Sequence, residues 1–216
     1  MTSPGFASVV LDVDSTLCGV EGIDWLAEQR GGDVGRQVAQ LTDRAMRGEI
    51  ALDAVYGERL ALVSPTRDEM RELARVYVAT LAAGAAPAVR RLCRAHRRVV
   101  LVSGGLREAI LPLAAELELA EADVHAVSVQ FGPDGRYAGY DATSPLATAD
   151  GKRHVVRSLG LPRRILAMGD GATDLAMRAD VDTFAAFTGF VRREPVVAAA
   201  DLTLESFDQL VELALG

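Results

Sequence analysis

A short apolar run that ends in two carboxylates constrains this chain more than any other stretch. Residues 7–13 are mostly apolar and rich in β-branched residues, and Asp12 and Asp14 lie at the end of the run. A central strand of a parallel sheet is apolar on both faces, so carboxylates belong only at its tip, where open α/β sheets bind ligands. Two carboxylates this close repel each other unless a cation or a proton lies between them, and Mg²⁺ prefers such oxygen ligands. The alternative is a turn with solvated charges.

Further apolar runs alternate with helical patterns, which predicts an α/β fold with a doubly wound parallel sheet. The second, third and fourth predicted strands are residues 98–102, 164–168 and 183–187. A Gly-Pro-Asp-Gly turn at 132–135 predicts a β-hairpin between residues 124–131 and 136–140. Because parallel strands end at one edge, the polar residues after the first three strands are expected to meet there.

Residues 16–84 are more polar than the flanking sequence and have a helical pattern, which predicts a small helical domain inserted after the first strand. Its apolar residues recur at helical spacing, and Ser64 or Thr66 followed by Glu69 predicts a capped helix start. The predicted organisation is an α/β core of residues 1–15 and 85–216 with a helical cap domain of residues 16–84.

Composition excludes several classes of partner. The net charge of −7 argues against nucleic acid, and no apolar run approaches the roughly 20 residues that a membrane span needs. Residues 1–6 lack the basic and apolar regions of a signal peptide. Cys18 and Cys93 follow no metal spacing, which predicts reduced thiols and a cytoplasmic location. We expect a monomer or homodimer.

Lys152 is the one lysine among 23 basic residues. A chain that otherwise uses arginine throughout indicates that this position needs a compact point charge on a flexible stem. Chance is the alternative. Lys152 begins a predicted helix just before the third strand, which allows its side chain to reach the same sheet edge.

The residues after the strand ends suit a metal-assisted phosphate site. Ser103 and Gly104 follow the second strand, and Asp170 and Asp174 follow the third. Carboxylates hold Mg²⁺, while a hydroxyl, a glycine N–H and a lysine hold phosphate oxygens. Phosphate monoesters hydrolyse very slowly unaided, so catalysis there depends on positioning and charge neutralisation. An aspartate can act as nucleophile, and a second carboxyl can act as acid and base.

These motifs resemble those of the haloacid dehalogenase superfamily, whose four motifs occur here in order as LDVDST, SGG, the lone lysine and GDGATD. Within it, further stretches resemble the phosphoserine phosphatase family, and the inserted helical unit corresponds to that family's cap. These stretches are residues 21–24, 44–46, 58–62 and 137–139.

The resemblance implies a role for each matching residue. Asp12 would be the nucleophile and a Mg²⁺ ligand, and Asp14 the general acid/base that also binds the metal through its carbonyl. Asp170 would be the third protein ligand, supported by Asp174. Phosphate binding would fall to Ser103, Gly104, Lys152 and Thr173, and substrate binding to Glu21, Met46 and Arg59. A zwitterionic amino acid needs one fixed anion and one fixed cation, and Glu21 and Arg59 provide them.

The implied activity is Mg²⁺-dependent hydrolysis of a small phosphomonoester, with O-phospho-L-serine as the expected substrate. The sequence departs from the family pattern at Arg47, in residues 149–152 and in the loop 187–190. Three alternatives stay open: a phosphatase for another small phosphomonoester, a phosphotransferase that uses an alcohol acceptor, and a non-catalytic binding protein of the same fold.

Overall fold

The computed structural model describes residues 5–46, 50 and 52–216. Within these residues, six parallel strands form one sheet in the order β3-β2-β1-β6-β7-β8, and two antiparallel strands, β4 and β5, form a separate hairpin. The strands are β1 (Ser8–Leu11), β2 (Arg98–Leu106), β3 (Val124–Val127), β4 (Val129–Phe131), β5 (Tyr137–Tyr140), β6 (Ile165–Gly169), β7 (Thr183–Phe187) and β8 (Leu202–Leu204). The predicted doubly wound parallel α/β fold is confirmed.

Helices flank the sheet and connect its strands. They are α1 (Gly22–Gln29), α2 (Gly32–Met46), α3 (Leu52–Val63), α4 (Arg67–Ala79), α5 (Ala85–Arg94), α6 (Arg107–Glu116), α7 (Gly151–Ser158), α8 (Ala172–Leu175), α9 (Glu194–Ala199) and α10 (Phe207–Leu215). Among the residues described, no helix is long and apolar enough to cross a membrane.

The first strand lies at the centre of the sheet. All four residues of β1 are buried, and β1 pairs in parallel with β2 on one side and β6 on the other. A strand with neighbours on both edges and helices on both faces must be apolar throughout, which explains the unbroken run in the sequence. The chain winds outward from β1 in both directions, so the topological switch point lies between β1 and β6, where α/β sheets bind ligands.

Four helices, α1 to α4, lie between β1 and α5; we call them the helical unit. Helix α4 begins with a capping box, in which Thr66 Oγ1 accepts from the Glu69 amide and Glu69 Oε2 accepts from the Thr66 amide. This cap was predicted from the sequence. Helix α4 also packs along α6 of the α/β core, so the helical unit is anchored next to the second strand.

Two features of the sheet differ from the sequence prediction. Only β4 and β5 form the hairpin, because β3 joins the main sheet beside β2. Residues 124–131 are a continuous β-favouring run, and periodicity within it does not reveal that the chain changes sheets at Ser128. Strand β8 and helix α9 were not predicted, since three and six residues are too short for a periodic signal.

Candidate active site

The carboxylates after the two strands at the switch point lie side by side. Asp12 follows β1 and Asp170 follows β6, and the Asp12 amide still donates to the Met168 carbonyl at 3.1 Å. Both side chains are about 4% exposed. The backbone ladder therefore continues to the edge and holds the two acids in fixed register.

Lys152 links two of the carboxylates. Its Nζ lies 2.5 Å from Asp12 Oδ1 and 2.6 Å from Asp174 Oδ1, and all three side chains are buried. Burial alone would lower the pKa of the Lys152 ammonium, but the charges of Asp12 and Asp174 raise it above its ordinary value. Gly151 brings this helix start close to the neighbouring loop, because a Cβ there would lie 1.8 Å from the Pro145 carbonyl oxygen.

Asp12, Asp170 and Asp174 form a cluster that can hold a metal ion. One oxygen from each lies within 4.8 Å of the others. Burial, and next the charge of Asp174, raise the pKa of the Asp12 carboxyl well above its ordinary value, and the same two causes raise that of Asp170. Carboxylates that destabilise one another in this way fit a cation with oxygen ligands.

The glycines of the 169–174 loop let Asp174 fold back onto the cluster. A Cβ on Gly169 would lie 2.2 Å from Asp174 Cγ, and the Gly171 amide donates to Asp174 Oδ2 at 3.0 Å. Thr173 lies in α8 one residue before Asp174 and is half-buried.

Asp170 has two protein donors that the sequence analysis did not identify. Arg193 Nε donates to Asp170 Oδ2 at 2.8 Å, and Thr16 Oγ1 donates to Asp170 Oδ1 at 3.3 Å. Arg193 comes from the loop after β7, whose carboxyl end lies on the same sheet edge. Its place after a strand of the parallel sheet was the one sequence feature that could have predicted a role for Arg193, because no motif surrounds it.

Asp14 is held by the helical unit. Its Oδ1 accepts from the Tyr77 hydroxyl at 2.7 Å and from the Gly22 amide at 2.8 Å. Burial raises the pKa of the Asp14 carboxyl, although both hydrogen bonds act to lower it. Tyr77 is one of the apolar residues that recur at helical spacing in 16–84, and the sequence does not distinguish a hydroxyl with a specific partner from a tyrosine that only packs.

The second strand runs further than the sequence predicted: β2 continues past residue 102 through Ser103 and Gly104 to Leu106, and its pairing with β3 is irregular between Val102 and Leu106. Ser103 is fully buried, and its Oγ accepts from the Gly105 amide at 2.9 Å. The Tyr56 hydroxyl of α3 donates to the Gly104 carbonyl at 2.7 Å. Tyr56 is a second hydroxyl from the helical unit that the sequence analysis missed.

The structure places the predicted substrate-binding residues in two different settings. Glu21 Oε1 accepts from Ser15 Oγ at 2.7 Å and lies 3.6 Å from Arg193. The Glu21 side chain is 45% exposed, but desolvation by the protein atoms around its carboxyl group, and next the charge of Asp14, raise its pKa to about 7. Arg59 instead pairs with Asp24 at 2.6 Å. Met46 ends α2 and its side chain lies outside the described residues, as does all of Arg47.

Taken together, the edge can bind a cation through carboxylates and an anion through Lys152 and the end of β2 around Ser103. A buried carboxylate paired with an ammonium can attack a phosphoryl group, and a second carboxyl can move a proton beside it. The geometry is therefore suited to metal-assisted phosphoryl chemistry.

Comparisons with known proteins agree with this geometry. Residues 9–178 match the family model of haloacid dehalogenase-like hydrolases. The chain is 36% identical over 207 residues to the phosphoserine phosphatase of Homo sapiens, covering 94% of this chain and 91% of that one. It is 35% identical to the chloroplastic phosphoserine phosphatase of Arabidopsis thaliana, covering 94% of this chain and 70% of that one.

Solved structures share the fold at lower identity. A phosphoserine phosphohydrolase-like protein from Francisella tularensis superposes with a TM-score of 0.84 at 24% identity, covering 95% of this chain and 98% of that one. A phospho-aspartyl intermediate analogue of a phosphoserine phosphatase gives a TM-score of 0.79 at 23% identity, covering 97% and 99%. Because the family model spans most of its length and the Homo sapiens relative aligns over 91% of its own length, the chain belongs to the haloacid dehalogenase-like hydrolases.

Proposed function

We propose that this chain is a Mg²⁺-dependent phosphatase that converts O-phospho-L-serine to L-serine and phosphate through a phospho-aspartate on Asp12. One observation carries the proposal: a buried lysine bridges Asp12 and Asp174 beside a three-carboxylate cluster, at the switch point of the sheet. The relatives named phosphoserine phosphatase support the choice of substrate.

The residues present fit the metal. Asp12, Asp170 and Asp174 offer carboxylate oxygens that lie within 4.8 Å of one another, and oxygen atoms are the ligands that Mg²⁺ prefers. Asp12 and Asp170 would hold it with the backbone carbonyl of Asp14, and Asp174 would support the site. When bound, the ion neutralises charge on the phosphoryl oxygens and favours attack by an anionic nucleophile.

In the first step, a carboxylate oxygen of Asp12 attacks phosphorus. Lys152, Ser103 and the Gly104 amide hold the phosphoryl oxygens, with Thr173 beside them. Asp14, protonated, gives its proton to the ester oxygen as the P–O bond breaks, so serine leaves as a neutral alcohol. Asp12 then carries the phosphoryl group and Asp14 is a carboxylate.

In the second step, Asp14 accepts a proton from a water molecule as that water attacks phosphorus. The bond between phosphorus and Asp12 breaks, its electron pair returns to the Asp12 carboxylate, and inorganic phosphate leaves. Asp14 is then protonated again, ready for the next substrate. One carboxyl group thus serves both half-reactions.

Substrate recognition falls to residues 16–84, which we propose act as a cap domain over the core of residues 1–15 and 85–216. Glu21 would bind the substrate ammonium, and that positive charge would counter the desolvation and the repulsion from Asp14 that raise the pKa of Glu21. Arg59 would bind the carboxylate, and Met46 would line the site. Since Arg59 is paired with Asp24 here, the substrate carboxylate must share or displace that partner. Closure of the cap would exclude water while the phosphoenzyme forms.

The test is phosphate release with Mg²⁺ from L-phosphoserine, phosphoethanolamine and p-nitrophenyl phosphate. We expect L-phosphoserine to have the highest kcat/KM by at least about 10-fold over phosphoethanolamine, which lacks only the carboxylate. Asp12→Asn keeps the shape of the side chain and should lower kcat by about 1000-fold or more, because an amide is not a nucleophile. Equal turnover of phosphoethanolamine would contradict L-phosphoserine as the preferred substrate but would not contradict the mechanism. Full activity of Asp12→Asn would remove the mechanism.

Two further expectations stay predictions. Transfer of the phosphoryl group to added alcohols, seen as new phosphoesters, would favour a phosphotransferase instead of a hydrolase. The cytoplasmic location and the monomeric or homodimeric state await fractionation and solution mass measurement.

A further inference from the structure

Tyr77 lies in the last turns of α4 and is fully buried, yet its hydroxyl has one specific use. It donates to Asp14 Oδ1 at 2.7 Å, across 63 residues of sequence. A tyrosine needed only for packing could be a phenylalanine, whereas a buried hydroxyl is stable only with a hydrogen-bond partner. The partner here is the carboxyl group that the proposed function assigns as acid and base.

Gly22 lies against the same hydroxyl. Its amide donates to Asp14 Oδ1 at 2.8 Å. A Cβ on Gly22 would lie 2.2 Å from Tyr77 Oη, so a side chain at this position is incompatible with the hydroxyl in its observed place. The start of α1 and the end of α4 therefore meet at one oxygen atom of Asp14.

The other oxygen of Asp14 faces the opposite way. A Cβ built on Gly105 would lie 2.7 Å from Asp14 Oδ2 and 3.1 Å from Ser103 Oγ. Asp14 Oδ2 is thus next to the part of β2 that is proposed to bind phosphate, while Oδ1 is bonded to the helical unit. The two oxygens of one carboxyl group have different surroundings.

We propose that Tyr77 is a positioning residue that, together with the Gly22 amide, occupies Oδ1 of Asp14 and so assigns proton transfer to Oδ2. This inference rests on the proposed function, in which Asp14 is the acid and base. A proton on Oδ1 would face two donor hydrogens, whereas Oδ2 is open to a proton and adjoins the part of β2 that is proposed to bind phosphate.

The reaction then has a defined proton path. In the first step Oδ2–H gives its proton to the ester oxygen as the bond between that oxygen and phosphorus breaks and the bond from Asp12 to phosphorus forms. In the second, Oδ2 takes a proton from the attacking water as the bond from Asp12 to phosphorus breaks. Oδ1 keeps both hydrogen bonds throughout, so the carboxyl does not rotate between the two steps.

The leaving group distinguishes positioning of the acid from general support of the fold. Serine and ethanolamine leave as poor alkoxides and need a proton, whereas p-nitrophenolate leaves without one. Tyr77→Phe removes only the hydroxyl. We expect kcat/KM for L-phosphoserine and phosphoethanolamine to fall by about 10- to 100-fold, and that for p-nitrophenyl phosphate to change by less than about 3-fold.

Each comparison is a ratio measured on one sample, so partial loss of folded protein cancels. Asp14→Asn is the reference variant. Its kcat/KM should fall selectively for the alkyl substrates, as in Tyr77→Phe, but by a larger factor. Tyr56→Phe is the matched control, because it removes a second buried hydroxyl of the helical unit that bonds to the Gly104 carbonyl. Tyr56→Phe should change kcat/KM for the alkyl and aryl substrates by the same factor. Gly22→Ala displaces the Tyr77 hydroxyl from the other side and should repeat the selectivity of Tyr77→Phe.

The outcomes separate the inference from the function on which it rests. Equal losses on all three substrates, or no loss, in Tyr77→Phe would overturn the positioning role while Asp14→Asn keeps its alkyl-selective loss. Lack of selectivity in Asp14→Asn would instead overturn the proposed role of Asp14. If Tyr77→Phe does not fold, Gly22→Ala decides by the same ratio.

Discussion

The sheet edge and the helical unit contribute different chemistry to one site. The edge supplies buried charges: Asp12, Asp170 and Asp174 beside Lys152, each on the loop or helix next to a strand end. The helical unit supplies neutral donors, the hydroxyls of Tyr77 and Tyr56 and the Gly22 amide. Its charged Arg59 is paired within the unit, with Asp24.

This difference indicates a division of labour. Buried charges repel or attract strongly and must be fixed by a rigid backbone, which the parallel ladder provides. Neutral donors tune the direction of a carboxyl or a carbonyl without adding charge to a crowded site. We therefore expect changes at the sheet edge to abolish turnover, and changes in the helical unit to alter selectivity.

Of the variants described below, Lys152→Met should lower turnover the most. Loss of the ammonium leaves Asp12 and Asp174 buried without their shared partner, so we expect kcat to fall by about 1000-fold or more. The free energy of unfolding without metal should fall by about 3 kcal/mol, since one partner of a buried ion pair has been removed. Steady-state kinetics and urea unfolding measure the two effects.

Lys152→Arg is the matched variant. It keeps the charge but replaces the compact ammonium with a planar fork, and the lone lysine of the chain predicts that this is not tolerated. Near-normal turnover of Lys152→Arg would show that charge alone suffices. The sheet edge would then differ from the helical unit in its charge alone, and the fixed geometry of its side chains would not matter.

Arg59→Met should give an intermediate effect, limited to one substrate. We expect KM for L-phosphoserine to rise by about 10- to 100-fold and KM for phosphoethanolamine to stay within about 2-fold, because only the first substrate has a carboxylate to bind. Asp24→Asn keeps Arg59 and removes its negative partner, so KM for L-phosphoserine should not rise. A rise in KM for both substrates in Arg59→Met would indicate that Arg59 supports the helical unit and does not read the carboxylate.

The same contrast explains what the sequence predicted well. The acids at the strand ends and Ser103 were predicted to share one sheet edge, because an apolar run followed by polar residues marks the carboxyl end of a parallel strand. Lys152 was identified in another way, as the one lysine of the chain, and it lies at the start of α7 within reach of Asp12. The capping box of α4 was predictable for a similar reason, since its two partners are three residues apart.

The hydrogen bonds of Tyr77, from the helical unit, and of Arg193, from the loop after β7, were not predictable in that way. Tyr77 and Asp14 are separated by 63 residues, and nothing in the helical period of α4 marks its hydroxyl as different from a packed ring. Arg193 lies on a loop after a strand, but its bond to Asp170 spans 23 residues and depends on the path of that loop. Contacts of this kind arise from tertiary packing and not from local pattern.

Glu69→Gln should give the smallest effect and separates stability from catalysis within one helix. Glu69, at the start of α4, completes the cap with Thr66 and pairs with Arg30, while Tyr77 is near the end of the same helix. The Arg30 hydrogen bond is the first cause that lowers the pKa of Glu69, from 4.5 to about 2. A lowered pKa stabilises the folded state above pH 4.5, and that contribution is lost as pH falls toward about 2.

We expect Glu69→Gln to lower the free energy of unfolding by about 1 kcal/mol at pH 7, with the difference from the unmodified chain narrowing below pH 4.5. Urea unfolding at several pH values measures it. Glu72→Gln, which breaks only an exposed pair with Arg75 on the same helix, should cost less than about 0.5 kcal/mol. The ratio of alkyl to aryl turnover should not change in either variant. A change in that ratio for Glu69→Gln would mean that the start of α4 also sets the position of Asp14, and that stability and acid placement in this helix are one property.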